Sequence, residues 1–412
     1  MELTRLIPFL LLYASLVLGG CYWEETENYP DYLPLDDSEY PYAGLPRLVI
    51  ETEDFARIRD RETEHRSYFQ IYGERQPESE VLALSVHGRG NSSFKMPKYG
   101  MKLEFVDKVS LFGMPKSRDW VLVGNFGDKT HLRNYMAFRL SEWLGASYTP
   151  KACYVELYLN REYKGLYLLT ESIKVAKDRV NIPENDSSFL FEKEGDKKYD
   201  DPYVVTKEDN IFHIRSPHNA SEFSKTLLLD HLNAFEWYLS NSGWTTSDIT
   251  EWVDMDSYAL YYWVQEFSKN EDANFSRSIF MTWEKDGPIR FGPLWDFDLA
   301  FGNESREDVM PSSAWYIRSY SWNAKIFWIP GVRDQMANYW VANRDKFKAL
   351  IDSVPVYRTI IERALKNEYK RWPIIRNTEN WALKAPYDSY DEAVESMVRW
   401  MKERYDWIES NL

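Results

Sequence analysis

NEDANFSRSIFMTWEKDGPIRFGPLWDFDLAFGN, residues 270–303, reads as a polar turn, an aromatic-rich strand, a Gly-Pro break and a second short strand from Gly292 to Trp295. That second strand runs into Asp296 and Asp298, so with Asp272 three carboxylates stand at the ends of adjacent elements, and the amide of Asn274 lies beside the first. Like charges a few ångströms apart disfavour joint ionisation. A hard divalent cation, Mg²⁺ or Mn²⁺, offsets that repulsion, because it takes carboxylate and amide oxygens and leaves positions open for phosphate. The competing reading makes Asp272 and Asp298 turn and cap residues, as Asp commonly is beside Gly, Asn and Ser.

Upstream, HGRGNSSF (87–94) places Gly88 and Gly90 in a tight turn, with Arg89, Asn91, Ser92 and Ser93 offering the donors a phosphate-covering loop needs. Many such turns only reverse the chain. Met101 to Phe105 then alternates as a strand, with Met101, Leu103 and Phe105 on one face and Lys102 and Glu104 on the other. Residues 128–145, DKTHLRNYMAFRLSEWLG, form a helix capped by Asp128 or Thr130 and stopped at Gly145. Its apolar stripe is Leu132, Met136, Ala137, Leu140 and Leu144; Arg133 and Asn134 lie off it, where ion pairing on the helix face is the local reading. CYVELYLN and KGLYLLTE follow as a hairpin turned at Asn160 to Tyr163.

GPLWDFDLAFGN (292–303), HGRGNSSFKMPKYGMKLEF (87–105), DKTHLRNYMAFRLSEWLG (128–145) and YVELYLNREYKGLYLLTESIK (154–174) together resemble the motif set of the CotH family, the spore-coat-protein-H-like atypical protein kinases, and occur in family order. The resemblance implies an α+β, bilobal kinase-like fold. Residues 47–171 would form an N-lobe of antiparallel β with one helix, and residues 172–412 a mainly helical C-lobe with the metal and catalytic site. It implies ATP and Mg²⁺ or Mn²⁺ as cofactors, and a Ser, Thr or Tyr hydroxyl of a protein outside the cytoplasm as acceptor. Asp296 resembles the metal-binding acid, Asp298 shares the cation or orients Asp296, and Asp272 is general base or second metal ligand. Asn274 is a metal or orienting ligand, and the Arg133–Asn134 pair has a role at the cleft. Lys102, or Lys98 just before the strand, meets phosphate beneath the Gly-rich loop, as kinases place a Lys; an exposed, solvated Lys is the alternative. Glu171 falls at the hinge, where backbone groups would meet adenine. H-R-D is absent, N-E-D stands in its place, and no clear Glu faces Lys102 from the first helix, so a pseudokinase stays open.

Farther along, Val175 to Pro217 reads as an insertion with short strands at Phe189 to Phe191 and Ile211 to Ile214. Helices are expected over Thr226 to Ser240, Trp252 to Ser268, Val332 to Val354, Val356 to Trp372 and Asp388 to Leu412. A chain of 412 residues with 44% apolar and 16% aromatic content supplies a large core for one bilobal unit or two domains. Its net charge of -15 argues against a nucleic-acid partner, which requires a basic footprint. A monomer is expected.

At the N-terminus, Arg5 precedes an apolar run from Leu6 to Leu18 and then Leu18-Gly19-Gly20-Cys21, so residues 1–21 read as a signal peptide whose end resembles a bacterial lipobox with Cys21 acylated. Residues 22–46 hold seven acids and no Lys or Arg, and read as an extended tether. The chain would then meet the membrane only through its lipid, at the cell envelope and on the outer membrane, and the acidic run after Cys21 resembles a signal for display on the outer surface. Cys153 has no partner for an internal disulfide and reads as a small buried hydrophobe. Two rival functions remain. Seventeen Trp and 29 Tyr could build a glycan-stacking surface, and Asp272 with Asp296 could be a glycosidase acid pair, although Lys102 and an Asn beside one acid fit the latter poorly.

Overall fold

Seven strands carry apolar residues on alternate positions, and those residues all turn to one side, the interior of a closed barrel. The computed structural model describes residues 35–197, 201–241, 246–304, 306, 309–378 and 385–412; the signal peptide, Cys21 and the first part of the acidic spacer lie outside them. The barrel strands are β1 (Arg47–Thr52), β2 (His65–Tyr72), β3 (Leu82–Arg89), β4 (Gly100–Val109), β5 (Ser117–Val123), β6 (Ala152–Leu159) and β7 (Glu162–Glu171), in the order β1-β2-β3-β4-β5-β7-β6. All pairs are antiparallel except β1 with β6, whose parallel register from Arg47↔Glu156 to Ile50↔Leu159 closes the ring. Leu48, Ile50, Phe69, Leu84, Leu103, Phe105, Trp120 and Leu169 fill the interior. The helix α1 (Arg133–Leu144) sits between β5 and β6 in sequence and ends at Gly145, whose φ of 87° is the left-handed cap that glycine supplies readily.

A second sheet follows, of five antiparallel strands in the order β12-β11-β8-β10-β9. It comprises β8 (Ser188–Glu194), β9 (Tyr203–Val205), β10 (Ile211–Ser216), β11 (Ile279–Glu284) and β12 (Arg290–Phe291). Between β10 and β11 run the helices α2 (Glu222–Asn241), α3 (Thr246–Trp252) and α4 (Met255–Ser268), and after β12 come α5 (Ser321–Trp328), α6 (Val332–Arg371) and α7 (Tyr390–Asn411). The expected bilobal kinase-like fold with a mainly helical C-lobe is therefore corrected to a closed seven-stranded barrel, a second sheet and a C-terminal helical region. Two pairings account for the difference. Contact of β1 with β6 turns an open sheet into a barrel and removes its edges. The short apolar runs that read as an insertion, Phe189 to Phe191 and Ile211 to Ile214, pair with each other and with β11, so they are the centre of a sheet.

Among the helices, α4 is buried from Tyr258 to Ser268, with Tyr258, Tyr261, Tyr262, Trp263, Val264 and Phe267 in the core, and only its first turn, at Asp256, is exposed. Asp254 caps it by accepting from Ser257 N at 2.9 Å. Pro355 was expected to separate two helices; instead α6 runs continuously for 40 residues with Pro355 inside. An interior Pro costs about 3 kcal/mol, and the buried stripe Leu350, Ile351, Val354, Tyr357 and Ile361 passes through it without interruption and offsets that cost. Residues 35–46 lie against the other half of α6: Asn367 Nδ2 donates to Pro41 O at 2.8 Å, Lys370 Nζ donates to Glu39 O at 2.7 Å, and Tyr40 stacks on Tyr163 at 4.3 Å.

The barrel and α6 are joined by a buried ion pair. Lys98 Nζ lies 2.6 Å from Glu368 Oε1 with both side chains at 0% exposure, and also donates to Leu166 O at 2.5 Å. Glu368 Oε2 accepts from Leu166 N at 2.7 Å. A Cβ on Gly165, which holds φ 108°, would land 2.3 Å from that oxygen, so only glycine admits the carboxylate. His131 Nε2 is 3.6 Å from Glu368 Oε1, and neither ring nitrogen has a hydrogen-bond partner. Burial, reinforced by Lys98, outweighs the pull of Glu368 and Asp128 and holds the His131 imidazole down to about 4. In the unfolded chain it would titrate near 6.5. Between these values the unfolded state binds a proton that the folded state refuses, so this contribution to stability is complete above pH 6.5 and is lost as pH falls toward 4. At about 1.4 kcal/mol per pH unit the loss amounts to roughly 3 kcal/mol. Urea unfolding of His131→Asn is expected to show a flatter stability curve across that window than the unaltered protein.

Candidate functional site

The acid-bearing elements are set by two departures from regular structure. At the end of α4 the chain turns left-handed at Lys269 (φ 45°), passes through a short 3₁₀ turn at Glu271–Ala273 and enters β11 through Phe275 (φ 71°) and Ser278 (φ 57°). After β12, Leu294, Trp295, Phe297 and Ala300 go into the core, so Asp296 and Asp298 alternate outward; Asp296 has φ 67° and Phe301 φ 51°. Non-glycine residues held in the left-handed region cost about 1–3 kcal/mol each and persist where the surroundings over-determine them. Five of them flank three carboxylates here.

Asp272, Asp296 and Asp298 are brought together. Burial first, and then the Asp296 charge, push the Asp272 carboxyl up to about 8, against Arg277, whose Nε lies 3.6 Å from Asp272 Oδ1. Asp298 is within hydrogen-bonding reach of Asp296, and burial, followed by the charges of Asp296, Asp272 and Asp128, drives it well above the usual carboxylate range. Asp296 Oδ2 accepts from Ser278 Oγ at 3.1 Å. Two amides complete the set. Asn274 Nδ2 donates to Tyr316 Oη at 3.0 Å and Asn270 Nδ2 donates to Asp296 O at 3.0 Å, while the buried Oδ1 atoms of both have no partner. A buried polar atom without a partner is costly.

This donor set fits a hard divalent cation, since it consists only of carboxylate and amide oxygens. Among the described residues no group of three His, Cys, Asp or Glu side chains stands close enough to hold a metal ion as it is; a cation bound here would draw the acids inward and replace Ser278 and Arg277 as their partners.

The Gly-rich turn stands beside the cluster. The Arg89 guanidinium packs 4.9 Å over the Trp295 ring. Burial lowers its pKa, and the charges of Asp296 and Glu192 oppose that. A Cβ on Gly88 would meet the Phe94 ring at 2.0 Å, and one on Gly90, at φ 106°, would meet Ser93 Oγ at 2.1 Å, so the turn is closed to larger residues. Arg61 Nη1 donates to Gly90 O at 3.2 Å and to Asn91 Oδ1 at 3.0 Å; Asn91 and Ser92 are exposed and Ser93 half-buried.

Three residues expected at the nucleotide are held elsewhere. Lys102 Nζ contacts Glu104 Oε2 at 3.3 Å and Asp119 Oδ1 at 3.6 Å. In the β3–β4 register Arg89 faces Gly100 and His87 faces Lys102, so Lys102 shares the outer barrel face with Arg89, one pleat repeat farther from the acids. Lys98 is committed to Glu368 inside the protein. Glu171 Oε2 accepts from Lys151 N at 3.0 Å and from Tyr148 Oη at 3.3 Å, with Arg179 at 3.8 Å from Oε1, and its backbone N donates to Lys151 O. Arg277, Ser278 and Asn270 were not singled out from sequence, although all lie in the opening stretch; a Ser or Asn beside Asp carries no periodic signal.

A family model described as CotH kinase protein matches residues 86–408. No curated protein matches the chain.

Proposed function

The chain belongs to the CotH kinase family, and from that premise we propose that it transfers the γ-phosphoryl group of ATP to a Ser, Thr or Tyr hydroxyl of a protein outside the cytoplasm, with Mg²⁺ or Mn²⁺. The observation that carries this reading is the cluster of Asp272, Asp296 and Asp298 with the unpartnered oxygens of Asn270 and Asn274, beside the Gly88–Gly90 turn. When bound, the cation neutralises phosphate charge and fixes the phosphoryl group for in-line transfer. Asp296 and Asp298 are the anionic ligands, and the two amide oxygens satisfy further positions.

Phosphoryl transfer asks the protein mainly for position and charge. Arg89 supplies positive charge from the Gly-rich turn directly at Asp296, and Lys102 continues that face outward. Asp272, the third acid of the cluster, is the carboxylate placed to take the proton of the acceptor hydroxyl. The acceptor oxygen bonds to phosphorus as the bond to the ADP oxygen breaks, and the acceptor proton goes to Asp272. Anchoring through Cys21 at the outer membrane belongs to the same proposal, on the strength of the LGGC sequence. Among the described residues no helix is long and apolar enough to cross a membrane.

The test is incubation of the purified chain with γ-labelled ATP, Mn²⁺ and candidate envelope proteins. Label on protein, lost on chelation, is expected. Mn²⁺-dependent ATP binding with no transfer to itself or any acceptor would mark a pseudokinase and refute the activity.

A further inference from the structure

Arg133 and Asn134, adjacent on the first turn of α1, have no part in the chemistry described above, yet both reach across the molecule to the acid loop. Asn134 Oδ1 accepts from Phe297 N at 2.8 Å. On the other side of the same peptide unit, Asp296 O accepts from Asn270 Nδ2 at 3.0 Å. The Asp296–Phe297 peptide is thus gripped at both polar groups by side-chain amides from two distant segments. Asn134 is itself oriented, because its Nδ2 donates to Asn125 Oδ1 at 3.1 Å. Farther along the loop, Arg133 Nε donates to Ala300 O at 2.8 Å and Nη2 donates to Phe301 O at 3.4 Å. The rest of that guanidinium is fixed by an ion pair with Asp128, whose Oδ2 also accepts from Arg133 N at 3.0 Å. Arg133, Asn134, Asn270 and Asp128 are all buried.

We infer that Arg133 and Asn134 are positioning residues for the acid loop: Asn134 fixes the left-handed backbone at Asp296, and Arg133 fixes the return of the chain after Asp298. The inference rests on the proposed cation site and deepens it. Left-handed backbone at a non-glycine residue needs such restraint, and the two contact points bracket both outward-facing acids. Buried side-chain bonds to backbone of this kind hold geometry that a packing contact alone would let drift. Metal ligands lose affinity when the residues that orient them are changed, typically by 10–100-fold.

Asn134 carries the test, since replacing Arg133 leaves Asp128 buried and unpaired. Asn134→Leu keeps the volume and removes the acceptor. Asn134→Asp keeps the acceptor, and the Asn125 amide can turn to donate to it. Mn²⁺ titration of the full chain is expected to show affinity at least 10-fold weaker in Asn134→Leu and largely restored in Asn134→Asp, with kcat falling more than KM for ATP changes. A crystal structure of Asn134→Leu is expected to show Asp296 leaving positive φ. If Asp296 stays near 67° in that variant, or the folded variant binds Mn²⁺ as tightly as the unaltered protein, the positioning role is overturned. If the unaltered protein itself binds no Mn²⁺, the cation reading fails instead, and the backbone at Asp296 still decides the positioning role.

Discussion

Asp296→Ala is expected to lose phosphoryl transfer by a factor of at least about 10³, as removal of a group that organises transition-state charge does, while the folded protein keeps its melting temperature or gains a few degrees. The two effects have one cause. Asp296 heads the neighbouring charges that push up Asp272, after burial, and does the same for Asp298. Removing it relieves repulsion within the cluster and forfeits the bond from Ser278 at 3.1 Å and the attraction for Arg89, for which Glu192 remains as a counter-charge. A residue retained for stability would show the opposite pairing, with activity falling only as far as unfolding explains. Transfer from labelled ATP and thermal melting of the same preparations check this together; activity within a few-fold of the unaltered protein would remove Asp296 from the chemistry.

Glu368→Ala is expected to be the most damaging single change to stability, at about 3–5 kcal/mol, because it leaves the Lys98 charge buried without a partner. It also orphans Leu166 N, which Glu368 holds at 2.7 Å. Glu368→Gln retains one acceptor oxygen and should fall between. Urea unfolding measures both. Because the pair ties β7 to α6, equal losses from Ala at an exposed Glu of α6, such as Glu362, would contradict the assignment.

What could be read from the sequence follows the range of the interactions. Local signals sufficed for the strand β11 and for the Gly145 stop of α1, but not for exact starts. The helix α1 begins at Arg133 after Leu132, which makes no side-chain cap, rather than at Asp128 or Thr130. The second short strand is Arg290–Phe291 rather than Gly292 to Trp295, and Gly88 pairs with Met101 inside β3, so the turn begins only at Gly90. The barrel was not legible, because closure depends on Arg47 to Ile50 meeting Glu156 to Leu159 across more than a hundred residues. The second sheet was hidden for the same reason: Ile279 pairs with Lys193, and neither segment is long enough to declare a sheet alone. Pro355 reads locally as a helix break, and only the tertiary stripe of Leu350, Ile351, Val354, Tyr357 and Ile361 carries α6 through it. Glu368 left a readable trace: it falls in step with Ile361, Ala364 and Leu365 on the apolar face of α6, and an acid on that stripe demands a buried partner. Lys98, also buried, was read instead as a competitor for phosphate.

The resemblance carried the family, and the family match over residues 86–408 bears that out. It did not carry the architecture, since likeness in motifs constrains the site more tightly than the layers around it.

The central claim is that Asp296 and Asp298, with Asp272 beside them, hold a divalent cation together with nucleotide. Calorimetric titration of Mn²⁺ into the full chain, with and without ATP, tests it most directly. The expected result is saturable Mn²⁺ binding that tightens in the presence of ATP and disappears in Asp296→Ala. Mn²⁺ binding of equal affinity in Asp296→Ala, or none in the unaltered protein with ATP present, would contradict it.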